Sequence, residues 1–316
     1  MSGFIKKIFF FVVIAFALAG LFEIACRVLR IPKISPHNIY AKSMELIPRI
    51  NKNSIVILGD SRLEWGIKPL AIYDKLLDKN SRVINLAVPG SNGLDVLNYL
   101  NNHKIYPKLI IVGYTPNFGG YQNHKLDLIS YSRRAIINAK VKYFLNKTFY
   151  IRDESVVEYI KHGYPYFKNH TYDDWGGAIV NEYGDYSQRT KFQIENYTLV
   201  RQSFDSLVLA KYCNTMDTLI QSFKKNGSII CGIYMPVSKK LFDIETSVLV
   251  YPVKQINYDK FYDFSKFTYE KEKPAPDSIY FLDGSHLSHE YAPVFSEKII
   301  EYIVHDFPAV QRLKQL

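Results

Sequence analysis

The 316-residue sequence has few cysteines and lacks several motifs that identify common enzyme classes. Its three cysteines, Cys26, Cys213 and Cys231, include no Cys-x-x-Cys pair. Three cysteines in a chain of this length exclude a small domain held together by disulfides. The spacing of the cysteines predicts neither a zinc site nor a thioredoxin-type redox site. No Gly-x-Ser-x-Gly, His-Glu-x-x-His or P-loop motif occurs. The sequence therefore lacks the usual signatures of α/β-hydrolases, zinc proteases and P-loop NTPases.

Acidic residues are outnumbered by basic ones, with 30 Asp and Glu against 40 Lys and Arg, for a net charge of +10. The basic excess is spread along the chain and forms no Lys/Arg-rich block, so we do not expect a nucleic-acid partner. The composition, 47% hydrophobic and 22% charged, is typical of a globular protein. The length allows one large domain or two modest ones.

Only one apolar run is long enough to cross a membrane, and it lies at the amino terminus. Residues 8–22 carry no charge, Glu23 interrupts the run, and residues 24–26 extend it. Eighteen helical residues span about 27 Å, which is just enough for the hydrocarbon core of a bilayer. We therefore predict a transmembrane helix within residues 1–33, followed by a domain formed by residues 34–316.

Three interpretations of this segment are open. It is an uncleaved signal anchor, a signal peptide cleaved after Ala17-Leu18-Ala19, or a lipoprotein signal ending at Cys26, where Glu23 replaces the usual aliphatic residue. We favour the anchor because apolar residues continue past Ala19. Basic residues flank both ends, so the positive-inside rule orients the helix only weakly. Either of the first two interpretations places residues 34–316 outside the cytoplasm, in the periplasm or at the cell surface. This part of the chain has a net charge of +6.

Short apolar segments alternate with amphipathic ones through the rest of the chain. Buried strands are predicted at residues 54–58, 82–86, 108–113, 228–234 and 278–282. Helices are predicted at residues 69–77, 94–102, 197–225 and 291–304, with Asn226-Gly227 ending the third. This alternation predicts an α/β fold with a parallel sheet covered by helices on both faces. Residues 119–196 break the pattern, and we predict an insertion at one edge of the sheet, either a lid or an ordinary packed excursion.

Polar residues follow the predicted strands, where ligands of open α/β sheets bind. Ser61 follows the first strand, Gly90 the second and Asn117 the third, and Asp283 and His286 follow the fifth. A serine nucleophile needs a neighbouring base and a third group that orients the base, which are the roles we assign to His286 and Asp283. The amides of Ser61 and Gly90 and the side chain of Asn117 are suitable donors to an oxyanion. This chemistry requires no metal and no organic cofactor.

Several of these residues have a second interpretation. Ser61 alone would be an ordinary helix N-cap, and His289 is the second choice of base. Asp60 is adjacent to the nucleophile, so we expect it to cap the turn and not to serve as the third member of a triad. Arg62 and Trp65 either contact an anionic or sugar substrate or lie on a helix surface, and we favour the helix surface.

These motifs resemble those of the SGNH/GDSL hydrolase superfamily. Gly59-Asp60-Ser61 resembles its first block, Asn85-Leu-Ala-Val-Pro-Gly90 its second, and Asp283-Gly-Ser-His286 its fifth. Arg62 replaces the leucine that usually follows the first block. The third block reads Gly113-Tyr-Thr-Pro-Asn117, where the family has Gly-x-Asn-Asp. Asn117 can replace the family asparagine only if its loop places the side chain at the same point.

The resemblance implies a flavodoxin-like three-layer α/β/α sandwich with Ser61, Asp283 and His286 as the catalytic residues and Gly90 as the oxyanion glycine. Together with the single amino-terminal span, Gly59-Asp-Ser-Arg62 and Asp283-Gly-Ser-His286 resemble a membrane-anchored branch, which is similar to proteins that work in teichoic-acid D-alanylation and exopolysaccharide O-acetylation. It implies an esterase or O-acyltransferase that acts on envelope glycan esters, with a membrane acyl-transfer partner. Two alternatives are open: a catalytically weak assembly or glycan-binding protein, and an esterase directed at lipids.

Overall fold

The computed structural model of the chain describes thirteen ranges of residues. They are 2–28, 46–76, 82–87, 93–114, 145, 148–149, 179–180, 186–187, 206–239, 241–242, 256–270, 277–281 and 285–311. The helices in these ranges are α1 (Ser2–Val28), α2 (Ser61–Gly66), α3 (Pro69–Leu76), α4 (Leu94–Asn102), α5 (Ser206–Lys225), α6 (Phe267–Glu270), α7 (Asp277–Tyr280), α8 (Tyr291–Asp306) and α9 (Pro308–Gln311). A 3₁₀ turn at Ile47–Arg49 leads towards the first strand.

A five-stranded parallel sheet lies at the centre of the fold. Its strands are β1 (Ile55–Leu58), β2 (Val83–Asn85), β3 (Leu109–Tyr114), β6 (Ile229–Tyr234) and β7 (Lys260–Asp263), and a separate antiparallel pair is formed by β4 (Ile179–Val180) and β5 (Tyr186–Ser187). The order across the sheet is β2-β1-β3-β6-β7, and all four pairings are parallel. The chain passes from β1 to β2 on one side and then returns to β3 on the other side of β1. The winding therefore reverses between β1 and β3, and ligands of such sheets bind at this reversal.

Helices cover both faces of the sheet. In β1, Ile55 and Ile57 pack on one side with α2, α3 and α8, and Val56 and Leu58 pack on the other side with α4 and α5. All four of these strand residues are fully buried. Because both faces are covered, the inner strands are apolar at every position and do not alternate. The predicted α/β architecture with a parallel sheet is confirmed.

Four of the five predicted strands are confirmed as β1, β2, β3 and β6, and the fifth prediction is wrong. Residues 278–280 belong to α7, Phe281 forms a single antiparallel bridge with Leu287, and residue 282 lies outside the described ranges. Their apolar character comes from packing against α8, where the rings of Tyr280 and Tyr291 lie 4.9 Å apart. The fifth strand of the sheet is β7, an edge strand whose exposed Lys and Asp residues interrupt any apolar run.

The predicted helices at residues 69–77, 94–102 and 291–304 are confirmed as α3, α4 and α8. The long prediction at residues 197–225 is confirmed over α5, and its earlier residues lie outside the described ranges. Gly227 ends α5 as predicted, with a φ of +85° and an N–H that donates to the carbonyl of Lys224 at 2.9 Å. Glycine occupies this left-handed position without a steric penalty.

The amino-terminal helix α1 is long and apolar enough to cross a membrane, by length and composition. Near its end, Arg27 binds the carboxylate of Glu23 with N···O distances of 2.8 and 3.0 Å, so the acidic residue in the apolar run is paired. Arg27 also donates to the carbonyl of Thr148 at 2.9 Å, which attaches the end of α1 to the following domain. Within residues 119–196 the structure describes only Leu145, Thr148–Phe149 and the β4–β5 pair, so the lid prediction lies outside the described residues.

Candidate active site

Ser61 is the first residue of α2, directly after the turn that leaves β1. Asp60 caps this helix: its side chain accepts a hydrogen bond from the N–H of Arg62 at 3.0 Å, and its carbonyl accepts from Glu64 at 3.0 Å. The capping role predicted for Asp60 is therefore observed. Because Asp60 provides the cap, the hydroxyl of Ser61 is available for another contact.

Two glycines allow α2 to lie close to the sheet. Gly59 has a φ of +151°, which favours glycine, and a Cβ atom there would lie 3.0 Å from the side chain of Leu63. A Cβ atom on Gly113 of β3 would lie only 1.9 Å from the same leucine. The absence of side chains at both positions lets Leu63 pack directly on the sheet, which places Ser61 at the carboxyl end of β1.

His286 lies beside Ser61. Its Nε2 atom is 2.7 Å from the Oγ atom of Ser61, although the residues are separated by 225 positions in the sequence. Both side chains are partly exposed to solvent. This distance is within the range that a base needs to remove the proton of a serine nucleophile.

The second ring nitrogen of His286 contacts Ser285. The Nδ1 atom lies 3.0 Å from the Oγ atom of Ser285, which is only 3% exposed. When Ser61 donates to Nε2, Nδ1 carries the ring proton and donates it to the Ser285 hydroxyl. Ser285 therefore supports the tautomer that a general base requires. Sequence analysis did not identify Ser285, whose only signal is its position next to the histidine.

The indole of Trp65 packs against the imidazole of His286, with ring centroids 4.3 Å apart and an interplanar angle of 39°. Trp65 follows Ser61 by four residues, which places both side chains on the same side of α2. The prediction that Arg62 and Trp65 lie on a helix surface is wrong, because Trp65 is partly buried against His286 and Arg62 is only 5% exposed. His289, the second choice of base, is exposed in the turn before α8.

The buried charged residues of the described ranges all lie within nine positions around Ser61. They are Asp60, Arg62, Glu64 and Lys68, each at most 5% exposed. Two of these residues are acidic and two are basic, so the formal charges of the four side chains sum to zero. Because burial of a charge is unfavourable without compensation, such a concentration is characteristic of a site where charge has a function.

The remaining predicted site residues, Asp283, Gly90 and Asn117, lie outside the described ranges, and their assigned roles stay predictions. In the ranges that are described, no group of three or more His, Cys, Asp or Glu side chains is placed to hold a metal ion. The described site consists of a serine, a histidine with both ring nitrogens engaged, and an aromatic wall. This arrangement is suited to nucleophilic attack on a carbonyl group.

Comparisons with known proteins assign no family to the chain. No protein-family model matches it, and no curated protein matches it significantly.

Proposed function

We propose that the protein is a membrane-anchored serine esterase or O-acyltransferase that acts outside the cytoplasm on esters of cell-envelope glycans. The 2.7 Å contact between the Oγ atom of Ser61 and the Nε2 atom of His286 carries this proposal. A serine becomes a nucleophile when an adjacent base accepts its proton, and a third group must orient that base. Ser285 occupies the orienting position at Nδ1, and the carboxylate of Asp283 is the predicted second group for that role.

In the first half of the reaction, Ser61 attacks the carbonyl carbon of an ester while His286 accepts the hydroxyl proton. The developing oxyanion is stabilised by amide donors, for which Gly90 and Asn117 are the predicted residues. Collapse of the tetrahedral intermediate breaks the bond to the leaving alcohol, which takes the proton from His286. The product of this half is an acyl group covalently bound to Ser61.

In the second half, water or a sugar hydroxyl attacks the acyl group. His286 accepts a proton from the incoming hydroxyl and returns it to Ser61 when the acyl bond breaks. Attack by water gives hydrolysis, and attack by a sugar gives acyl transfer. The indole of Trp65, with its ring centroid 4.3 Å from that of the imidazole, packs beside His286 in both halves.

The topology supports the resemblance to the SGNH superfamily. The strand order β2-β1-β3-β6-β7 corresponds to the order 2-1-3-4-5 that is characteristic of flavodoxin-like sheets. Ser61 follows β1, which borders the reversal of winding where such folds bind ligands. The substrate class is taken from the membrane-anchored branch that the sequence resembles, and α1 is the feature that would hold the enzyme at the envelope.

Reaction with a fluorophosphonate probe tests the nucleophile. We expect the full-length protein in detergent to be labelled at one site, and we expect Ser61→Ala to abolish the labelling. If the folded wild-type protein does not react, or if Ser61→Ala reacts equally, the proposal is wrong.

Turnover of an aryl acetate separates an enzyme from an assembly or glycan-binding protein that retains the fold. We expect hydrolysis that depends on Ser61. Release of acetate from an O-acetylated polysaccharide, compared with release of fatty acid from a glycerol ester in mixed micelles, then tests the substrate class. Faster turnover of the glycerol ester would support the lipid-directed alternative instead.

A further inference from the structure

Asn85 is a fully buried polar residue at the end of β2 whose amide group bonds to two different segments of the site. Its Nδ2 atom donates to the carbonyls of Leu63 and Ile67, each at 3.1 Å, and lies 3.5 Å from the carbonyl of Glu64. Its Oδ1 atom accepts from the N–H of Ala87 at 2.9 Å. Both ends of the amide therefore have partners.

The carbonyls that Asn85 binds belong to the end of α2, the helix that begins with Ser61. This helix has only six residues, and the last carbonyls of any helix have no partner within it. The end of α2 is buried, so its carbonyls need partners inside the fold, and the carbonyl of Leu63 also accepts from the N–H of Ile67 at 3.1 Å. Asn85 supplies donors from β2, while the hydroxyl of Ser296 on α8 lies 3.5 Å from the carbonyl of Gly66.

The other bond of Asn85 constrains the chain that leaves β2. Ala87 is the last described residue before positions 88–92, which include Gly90, the predicted oxyanion donor. A single side chain thus bonds both to the helix that carries Ser61 and to the backbone that leads to Gly90. An asparagine suits this position because its amide offers two donor hydrogens at one end and an acceptor at the other.

We infer that Asn85 is a positioning residue for the reaction, which holds α2 and its first residue, Ser61, in place against the carboxyl end of β2. The inference rests on the proposed function. Asn85 does not touch the reacting atoms, and it acts through α2 and through Ala87. Small displacements of reacting groups lower rates strongly, so loss of this link reduces the reactivity of Ser61 in protein that is still folded.

Two substitutions test the role in full-length protein in detergent. Asn85→Asp keeps the shape but directs a carboxylate oxygen at the carbonyls of Leu63 and Ile67, whereas Asn85→Ser keeps a single donor. We expect the second-order rate of fluorophosphonate labelling, normalised to the folded fraction, to fall about 10- to 100-fold in Asn85→Asp and by less in Asn85→Ser. The KM for an aryl acetate stays within about 2-fold, because Asn85 does not line the substrate site.

Ser54→Ala is the matched control. Ser54 is also fully buried, and its hydroxyl accepts from the N–H of Asn51 at 2.9 Å just before β1, at the end of the strand opposite Ser61. We expect this variant to have a lower unfolding temperature and a labelling rate within about 2-fold of the wild type. A polar group that only stabilises the fold would behave in this way.

The possible outcomes separate the inference from the proposed function. If the wild type reacts and the folded Asn85 variants react at the same rate, the inference alone is overturned. If neither Asn85 variant folds, Asn85 belongs to the folding core and the inference is abandoned. A wild-type protein that does not react overturns the proposed function, and the inference with it.

Discussion

The Nε2 atom of His286 lies 2.7 Å from the Oγ atom of Ser61, and this contact joins the first and last thirds of the chain. The packing of α8 against the segment after Ser61 supports it. The N–H of Lys68 donates to the hydroxyl of Ser296 on α8 at 2.8 Å. The bridge between Phe281 and Leu287 holds the turn that contains His286. Ser61 and His286 therefore meet because the elements that carry them share one face of the sheet.

Replacement of His286 by alanine is expected to lower kcat/KM for an aryl acetate by at least about 10³-fold, because Ser61 loses its proton acceptor. His289→Ala is the control, since His289 is an exposed histidine three positions away. We expect this control to react at the wild-type rate. Equal loss of activity in both variants would show that His286 is not the specific base.

Replacement of Ser285 by alanine removes the hydroxyl at 3.0 Å from the Nδ1 atom of His286. We expect kcat to fall about 10-fold, which corresponds to the loss of one hydrogen bond worth about 1.4 kcal/mol. Ser288→Ala is the control, because Ser288 is equally buried and its hydroxyl binds the carbonyl of Ile279 at 2.7 Å. That variant is expected to lose stability and to keep its kcat. An unchanged kcat in Ser285→Ala would assign the orientation of His286 to another group.

Replacement of Trp65 by leucine removes the aromatic wall that lies 4.3 Å from the imidazole of His286. We expect kcat to fall about 2- to 10-fold, since an aromatic contact contributes about 0.5–1.5 kcal/mol. Trp65→Phe keeps an aromatic face and is expected to retain most of the activity. The two variants are compared by steady-state hydrolysis, and equal activities would exclude a role for the aromatic face.

The pair formed by Tyr262 and Asp306 predicts a pH-dependent contribution to stability. The Tyr262 hydroxyl donates to the Oδ2 atom of Asp306 at 2.8 Å and, together with His305 and Lys260, holds the pKa of that carboxyl below its ordinary value. A lowered pKa stabilises the fold above the unfolded pKa of about 3.9, and the contribution is lost as the pH falls through the folded value.

Tyr262→Phe is therefore expected to lower the unfolding temperature at pH 7 by more than it does below about pH 3. Unfolding of the full-length protein in detergent, followed by circular dichroism from about pH 2 to pH 7, measures the difference. Tyr302→Phe is the control, because the Tyr302 side chain is exposed on α8, the helix that carries Asp306. A Tyr262→Phe difference that is constant over this range would contradict the assignment to Asp306.

Four strands of the sheet, including the edge strand β2, were predictable from the sequence, and the other edge strand, β7, was not. Strands β1, β2, β3 and β6 are covered on both faces, so their residues are mostly apolar, with Asn85 at the end of β2 as a polar exception. In β7 at the edge, Tyr262 is buried whereas Lys260 and Asp263 are exposed, which removes the apolar signal. The apolar run at residues 278–282 was predicted as a strand because burial against a helix and burial within a sheet produce the same hydrophobicity.

The order of residues alone predicts that Ser61 follows a buried strand, that a glycine-containing turn precedes it, and that a histidine motif lies near the carboxyl terminus. These features depend on local spacing and on burial, both of which are visible in the order of residue types. The contacts of Ser285 and Trp65 with His286, and of Asn85 with α2, are visible only in the folded chain. Hydrophobic patterns indicate whether a side chain is buried, but they do not indicate which residues it contacts. The contacts of these three residues depend on how α2, β2 and the turn before α8 pack together.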